Sequence, residues 1–301
     1  MTAPGARRLD VCVVGHITYD SLVVPGRPAR RQPGGSAYYA GATLAALGRT
    51  TIVVTRLAPT DEAALTADLA RLGAEVRVRP SRATTRFENV YEDVSLTCRR
   101  QRLGARAGPF AATDLSDLDP RAFLLGPMTP GDITSQVVAA AAESGAHVAL
   151  DVQGLVRRLA GQVVRPAAAP EAAGYLARVG LVKADLDEAK LLTGRSDPEE
   201  AGRALADMGP DEALITVADR GSVVCRGGRV WRIPAFPAER TVDATGCGDS
   251  YLAAYLHCRL AGDDPGTAGR FAAALASLKL ECRGPYVGPV EAVRARAGLA
   301  R

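Results

Sequence analysis

The chain has 301 residues, of which 47% are hydrophobic and 23% are charged, and these values are ordinary for a globular protein with a substantial core. Its formal net charge of +4 is too small to indicate nucleic-acid binding. No apolar run approaches the ~18 residues that a membrane-spanning helix needs, and no signal peptide opens the chain, so we expect a cytoplasmic protein that contacts neither membrane nor nucleic acid.

The six cysteines form no Cys-x-x-Cys pair and no cluster with histidine, so the sequence predicts neither a zinc site nor a disulfide framework. Reduced thiols agree with a cytoplasmic location.

In the first part of the chain, apolar and alternating segments predict strands over residues 9–14, 19–24, 50–57, 74–78, 84–91 and 95–103. Small-residue and periodic segments predict helices over residues 38–47 and 61–72. The strands at 19–24 and 84–103 alternate polar and apolar residues, so they are expected to form a small separate sheet with one solvated face.

After residue 120, strands and helices alternate regularly. Strands are predicted over 122–125, 147–152, 179–183, 213–217, 222–226 and 229–233. Helices are predicted over 135–144, 170–178, 187–192, 198–208, 250–261 and 265–280. This alternation indicates an α/β fold with a mainly parallel sheet that is covered on both faces.

The most informative stretch is residues 241–251, Thr-Val-Asp-Ala-Thr-Gly-Cys-Gly-Asp-Ser-Tyr, which leads into a predicted helix. Gly246 and Gly248 have no Cβ, so the amides of residues 246–248, that of Cys247 included, can point at an anion beside the positive end of the helix. Asp249 can accept a proton from an attacking hydroxyl. The alternative is an ordinary strand-to-helix turn with a capping Asp.

This stretch resembles the second signature of the ribokinase-like sugar kinases, the PfkB family, which reads Asp-Thr-Thr-Gly-Ala-Gly-Asp. Ala244 replaces a Thr, and Cys247 replaces the Ala between the glycines. Gly34 and Gly35, followed by a helix, resemble the family's first signature, although Tyr39 stands where many members have Asn. Tyr39 can either line the substrate pocket or pack in the core, and the sequence leaves both alternatives open.

Further loops follow the predicted strands, where ligands collect in open α/β sheets. Asp20, after the first strand, resembles the family's substrate-binding Asp, and its two oxygens suit neighbouring hydroxyls of a polyol. Asp151 and Gln153 end a later strand and are followed by Arg157 and Arg158. Together with residues 34–39, this pattern looks like the inositol-kinase-like branch.

Residues 183–188, Lys-Ala-Asp-Leu-Asp-Glu, resemble the family's Asn-x-x-Glu motif with Asp185 in place of Asn. The resemblance implies that Glu188 and Asp243 help to hold Mg²⁺, which keeps several waters in protein sites. Glu188 also begins a helix, where an acid is favourable without any metal.

The segment from Thr216 to Gly221 resembles the family's nucleotide contact before a hairpin, and Gly284 lies in a loop that the family places near the adenine and a monovalent cation such as K⁺. The whole chain, residues 1–301, is therefore expected to form one ribokinase-like kinase domain. We expect a three-layer sandwich with a small β lid from about residues 17–33 and 84–104.

The resemblance implies an ATP-dependent phosphotransferase that acts on a hydroxyl of a sugar or cyclitol, with Asp249 as the base. Asp20, Gly34, Gly35 and Gln153 would hold the substrate. The alternatives are a nucleoside kinase of the same fold or a non-catalytic sugar- or nucleotide-binding regulator. Either a monomer or a homodimer is expected. Cys247 adds a hypothesis of its own, because a thiol at a helix N-terminus can have a lowered pKa and be oxidised.

Overall fold

The computed structural model describes residues 9–26, 28–91 and 99–300. Its strands are β1 (Val11–Gly15), β2 (Thr18–Val23), β3 (Arg30–Gly34), β4 (Thr51–Leu57), β5 (Glu75–Pro80), β6 (Arg86–Tyr91), β7 (Arg99–Ala105), β8 (Ala122–Gly126), β9 (His147–Asp151), β10 (Arg157–Ala160), β11 (Val163–Pro166), β12 (Leu181–Asp185), β13 (Glu212–Thr216), β14 (Ser222–Arg226) and β15 (Arg229–Ile233). Its α-helices are α1 (Ser36–Ala46), α2 (Glu62–Arg71), α3 (Ser135–Glu143), α4 (Ala172–Leu176), α5 (Leu186–Thr193), α6 (Pro198–Asp207), α7 (Cys247–Ala261), α8 (Pro265–Leu280) and α9 (Val290–Ala297).

The central sheet has nine strands in the order β15-β14-β13-β12-β9-β8-β1-β4-β5. The strands from β13 to β5 are parallel, while β14 and β15 form an antiparallel hairpin at one edge. The apolar residues of β1 and β8 are buried on both faces, as expected for parallel strands inside an α/β fold. The predicted mainly parallel sheet is confirmed.

Two separate hydrophobic clusters cover the two faces of this sheet. Val11 and Val13 of β1 pack into one cluster with α1, α2, α7, α8 and α9. Cys12 and Val14 of the same strand pack into the other with α3, α4, α5 and α6. The alternation along a single strand gives the predicted three layers, helix, sheet and helix.

A second sheet of six strands has the order β10-β11-β7-β6-β2-β3. The predicted lid segments at 17–33 and 84–104 contribute four of its strands, but β10 and β11 are not predicted from the sequence. The lid was therefore predicted too small, because its boundaries omit residues 157–166. The strand predicted over 95–103 begins outside the described residues, and its described part is β7. Cys98 also lies outside the described residues.

The sequence does not predict β3, β10, β11 or α9. The residues of β3 are Arg-Arg-Gln-Pro-Gly, so no apolar side chain marks a strand. In α9 only Val293 and Ala297 are buried. None of the helices in the described ranges combines the length and the apolar character that crossing a lipid bilayer requires.

Candidate active site

A cavity of about 830 Å³ opens where the central sheet meets the lid. Asp151, Asp185 and Thr216 border it, and each is the last residue of its parallel strand. The cavity therefore lies at the carboxyl edge of the sheet, where open α/β folds bind ligands. Most of the predicted site residues border it, namely Asp20, Gly35, Tyr39, Gln153, Glu188, Thr216, Gly221, Gly246, Cys247, Gly248 and Asp249.

The predicted anion hole is the turn that begins α7. Within the described residues, the main-chain N–H groups of Gly246 and Gly248 donate to no protein acceptor, while that of Cys247 donates to the Ala244 carbonyl at 3.3 Å. Two of the three predicted amides are therefore available to an anion, and the third is engaged within the turn. The positive end of α7 lies behind them.

Gly246 fits this turn for two reasons. Its φ of 80° lies in the left-handed region that other residues adopt at a cost, and a Cβ at this position would overlap the Tyr39 ring. A Cβ on Gly248 would lie 3.0 Å from the Lys183 Nζ. The glycines therefore let the turn pack directly on an aromatic ring and a lysine.

Asp249 lies in the first turn of α7 and faces the cavity. Burial raises its pKa to about 7, with Asp151 adding to the rise and Lys183 and Arg157 opposing it. A carboxylate with a pKa near neutrality is suited to accept a proton from an alcohol.

Lys183 lies at the centre of this charge cluster and is only 5% exposed. Its Nζ is 3.0 Å from Asp151 Oδ2 and 3.9 Å from Glu188 Oε2. Burial opposes its charged form, but Asp151 and Glu188 keep its pKa above the ordinary value. Lys183 is thus a fixed positive charge beside the anion hole. In the sequence it is one of only three lysines and falls within a buried strand, which is the signal that could have identified it.

The end of the cavity that the sequence predicts for the substrate is built around Asp20, which is 4% exposed and accepts a hydrogen bond from Thr18 Oγ1 at 2.8 Å. A Cβ on Gly34 would lie 2.6 Å from Asp20 Oδ2, and a Cβ on Gly35 would overlap the His16 carbonyl. Gly34 therefore leaves room for the Asp20 carboxylate, and Gly35 leaves room for the His16 carbonyl. Gly34 packs against this carboxylate and does not border the cavity.

Tyr39 both packs in the core and borders the cavity, so the two alternatives are not exclusive. It is 1% exposed, and its hydroxyl has no hydrogen-bond partner among the described residues. Burial raises the pKa of this hydroxyl, so it stays neutral.

The lid supplies Gln101 and Arg157 to the same cavity, and neither is among the predicted site residues. The Gln101 side chain donates to Asn89 Oδ1 at 3.0 Å, and Arg157 Nη1 donates to the Met128 carbonyl at 3.0 Å. Arg157 lies on β10, a strand that the sequence does not predict, so its place in the site is not predicted either.

Asp185 and Glu188 form a reciprocal cap at the start of α5. The Asp185 N–H donates to Glu188 Oε2 at 2.8 Å, and the Glu188 N–H donates to Asp185 Oδ1 at 2.7 Å. Burial raises the pKa of Glu188 to about 7, although Lys183 opposes this. Both carboxylates border the cavity, and the described residues contain no cluster of three metal-ligating side chains. This donor set fits Mg²⁺ held mostly through water and phosphate.

The Asp243 carboxylate has protein partners instead. Its Oδ1 accepts from the Thr245 N–H at 2.9 Å, and its Oδ2 lies 3.4 Å from Gln32 Nε2. Asp243 does not border the cavity, so the structure gives its side chain a role in shaping the turn.

The far end of the cavity lies between the β13–β14 connection and α8. Thr216 and Gly221 border it on one side, and Phe236, Ala273 and Leu280 give it an apolar wall. Gly284 does not border it.

The hypothesis that the pKa of the Cys247 thiol is lowered is wrong, because the pKa is raised. Burial raises the pKa of Cys247 to about 12, and its Sγ lies 3.8 Å from the Ala276 carbonyl. A thiol that stays protonated is a poor target for oxidation.

The model of the pfkB family carbohydrate kinases matches residues 131–292. A nucleoside kinase of Methanothermobacter thermautotrophicus is 42% identical over 80 residues, which are 27% of this chain and only 25% of that relative's length. A cytidine kinase of Thermococcus kodakarensis is 25% identical over 254 residues, 82% of this chain and 87% of the relative.

Among solved structures, a pyrophosphate-dependent kinase of the ribokinase family, complexed with a pyrophosphate analogue and myo-inositol, superposes with a TM-score of 0.85. It is 26% identical, and the match covers 95% of this chain and 99% of the other. The predicted ribokinase-like fold is confirmed.

Proposed function

Because the chain belongs to the pfkB family of carbohydrate kinases, we propose that it transfers the γ-phosphoryl group of ATP to a hydroxyl of a sugar or cyclitol. The observation that carries this proposal is the pairing of free amides at the start of α7 with the Asp249 carboxylate one residue beyond. The match to the family confirms the predicted family and the predicted enzyme class, a phosphotransferase with an alcohol as acceptor.

In the proposed reaction, Asp20 holds two neighbouring hydroxyls of the acceptor, and Tyr39 and Gln153 border the same cavity. Asp249 takes the proton of the reacting hydroxyl as its oxygen attacks the γ-phosphorus. The new O–P bond forms while the bond between the γ-phosphorus and the bridging oxygen breaks, and ADP leaves with that oxygen.

The negative charge of the transferring group is met by the Gly246 and Gly248 amides and by the Lys183 ammonium. Glu188 and Asp185 would hold Mg²⁺, which supplies neutralising charge to the phosphates when bound. The lid strands cover the acceptor end, where Gln101 and Arg157 help to exclude water, so that ATP is not simply hydrolysed.

Two donors are in question. The apolar wall of Phe236, Ala273 and Leu280 suits a nucleobase, and pyrophosphate has no base to place there. This favours ATP. Pyrophosphate is the second candidate, because the kinase with a TM-score of 0.85 is pyrophosphate-dependent.

The acceptor is proposed to be a polyol, since carboxylate and amide side chains surround that end of the cavity. The complex of that same kinase with myo-inositol supports a cyclitol. A nucleoside is the alternative acceptor, in line with the nucleoside and cytidine kinases among the relatives. A cytoplasmic location remains a prediction, as does the choice between monomer and homodimer.

A matrix of two donors and a panel of acceptors tests the proposal. Purified protein with Mg²⁺ is given ATP or pyrophosphate together with inositols, hexoses, ribose or nucleosides, and the phosphorylated product is identified by mass spectrometry. We expect turnover with ATP and at least one polyol. Turnover only with nucleosides would show that the acceptor is a nucleoside and not a polyol. Turnover only with pyrophosphate would show that the donor is pyrophosphate and not ATP. The absence of any transfer across the matrix would favour the non-catalytic regulator.

A further inference from the structure

A second buried lysine contacts the segment that leads into the turn at the start of α7. Lys279, near the end of α8, is 0% exposed. Its Nζ donates to the Asp243 carbonyl at 2.8 Å and lies 3.4 Å from the Cys282 carbonyl. The Asp243 carboxylate is 3.9 Å away, and the Tyr39 ring centroid is 5.5 Å away.

These partners form an oxygen cage around a positive charge. An ammonium has three donors, and the described residues offer it two carbonyl oxygens and a nearby carboxylate. A fully buried charge is tolerated only where such partners replace its water. Main-chain carbonyls with one carboxylate are also the oxygen donors that an alkali cation would use.

The cage joins two segments that must be aligned for transfer. Asp243 belongs to the turn that leads to Gly246, and its own side chain fixes the Thr245 N–H. Cys282 opens the loop that contains Gly284, where the family resemblance places a monovalent cation. The Asp243 and Cys282 carbonyls of these segments already face the Lys279 ammonium, so the described residues here do not fit an additional K⁺.

We propose that Lys279 is a built-in cation: its tethered ammonium bridges the Asp243 and Cys282 carbonyls, positions the turn of the anion hole and removes the need for an exchangeable monovalent cation. Lys279 is a positioning residue, since it acts through the turn and does not border the cavity. Only the activity part of this inference depends on the proposed function.

The test compares KCl with tetramethylammonium chloride at equal ionic strength, because the tetramethylammonium ion is too large for the cage. For the wild-type protein we expect the same melting temperature and the same turnover in both salts. In Lys279→Met the two carbonyls lose their positively charged partner. We therefore expect turnover in tetramethylammonium chloride to fall roughly 10- to 100-fold, because the turn that forms the anion hole is displaced. K⁺ or NH₄⁺ should raise both the melting temperature and the turnover of this variant.

Two further variants separate charge from packing. Lys190→Met changes an exposed lysine on α5 and should leave the response to cations as in the wild type. Lys279→Ala opens space for a small amine, and ethylammonium should restore stability to it more than tetramethylammonium does.

Either of two results would overturn the proposal: stabilisation of the wild-type protein by K⁺ over tetramethylammonium, or a Lys279→Met variant that responds to neither K⁺ nor NH₄⁺. If Lys279→Met does not fold in any salt, the wild-type comparison decides alone. The melting temperatures need no turnover, so this inference can succeed or fail independently of the proposed reaction.

Discussion

The Asp249 carboxylate lies within electrostatic reach of a buried ammonium and a second carboxylate, and these neighbours act on its pKa in opposite directions. We expect Asp249→Asn to lower turnover by roughly 10²- to 10⁴-fold, the range of a positioned general base. Donor binding should persist, since the amides of the turn are unchanged. Turnover is measured by product formation and donor affinity by calorimetry.

The matched control is Asp187→Asn, which removes an exposed carboxylate on α5 and should leave turnover unchanged. Near-wild-type turnover in Asp249→Asn would contradict the assignment of Asp249 as the general base.

The raised pKa of Asp249 gives a pH dependence. The base is protonated and inactive below its pKa of about 7, so kcat/KM should rise as pH increases through about 7 and then level off. Glu188 titrates in the same range and interacts with the same lysine, so the profile reports the cluster as a whole. Rates measured from pH 5 to pH 9 in buffers of constant ionic strength check this. A flat profile from pH 5 upwards would mean that the base has an ordinary carboxylate pKa.

Sequence motifs could identify Asp249 and Asp20 because each follows a strand or a glycine turn of recognisable spacing. They could not identify Lys183, Lys279 or Arg157 as part of the same assembly. Lys279 and Asp243 are 36 positions apart, and their contact depends on how α8 packs beneath the turn. For the same reason the motif alone assigns Asp243 to metal, whereas its side chain holds the Thr245 N–H.

Helix α7 has a glycine in the left-handed region at each end, and the two differ in surroundings. Gly246 has a φ of 80° and lies against the Tyr39 ring, while Gly262 has a φ of 95° with no atom within 4 Å of a Cβ. We expect Gly262→Ala to cost about 1–2 kcal/mol of unfolding free energy through backbone strain alone. Gly246→Ala should cost more and also reduce turnover by roughly 100-fold, since it moves the anion hole.

Thermal unfolding and turnover of the two variants are compared side by side. Equal losses of stability with full turnover in Gly246→Ala would show that the turn tolerates displacement from the ring.

At the scale of elements, apolar periodicity predicts the strands of the central sheet because they are buried on both faces. It fails for β3, β10 and β11, whose positions are set by pairing with neighbouring strands. Arg157 pairs with Pro166 across β10 and β11, and neither residue type signals a strand.

The whole molecule consists of a large sandwich and a lid. Phe87, Leu103 and Met128 form the buried cluster at their junction, with Leu159 and Val164 packed against it. Because the lid also contributes Gln101 and Arg157 to the cavity, the proposed acceptor would contact both parts.

We therefore expect acceptor binding to slow amide hydrogen exchange in β7 and β10. At about 100 times Kd, the stabilisation of roughly 2.7 kcal/mol would slow exchange through opening by up to roughly 100-fold. Helix α3, on the outer layer, serves as the internal control and should not change. Equal protection of α3 and the lid would indicate global stabilisation without a specific bridge.

The overall layers could be predicted from the alternation of strands and helices, but the size of the lid could not. Its six strands come from three separate parts of the chain, and the pairing of β2 with β6 joins residues more than 60 positions apart. The alternating pattern of residues 19–24 and 84–103 predicts that these segments are strands, but it does not show which strands pair with each other over such a distance.

Strand β3 is one of the two edge strands of the lid sheet, and an edge strand affects how a protein behaves in a crowded solution. Among the residues that the structure describes, β3 pairs on one side only, with β2, so its other side presents unpaired main-chain groups to a strand from a foreign chain. Pro33 offers no N–H there, and the exposed Arg30 and Arg31 place positive charge along it, with Arg31 stacked on Tyr19 at 3.4 Å. The charged arginines and the proline therefore disfavour the addition of a foreign strand at this edge, which lowers the risk of aggregation through the lid.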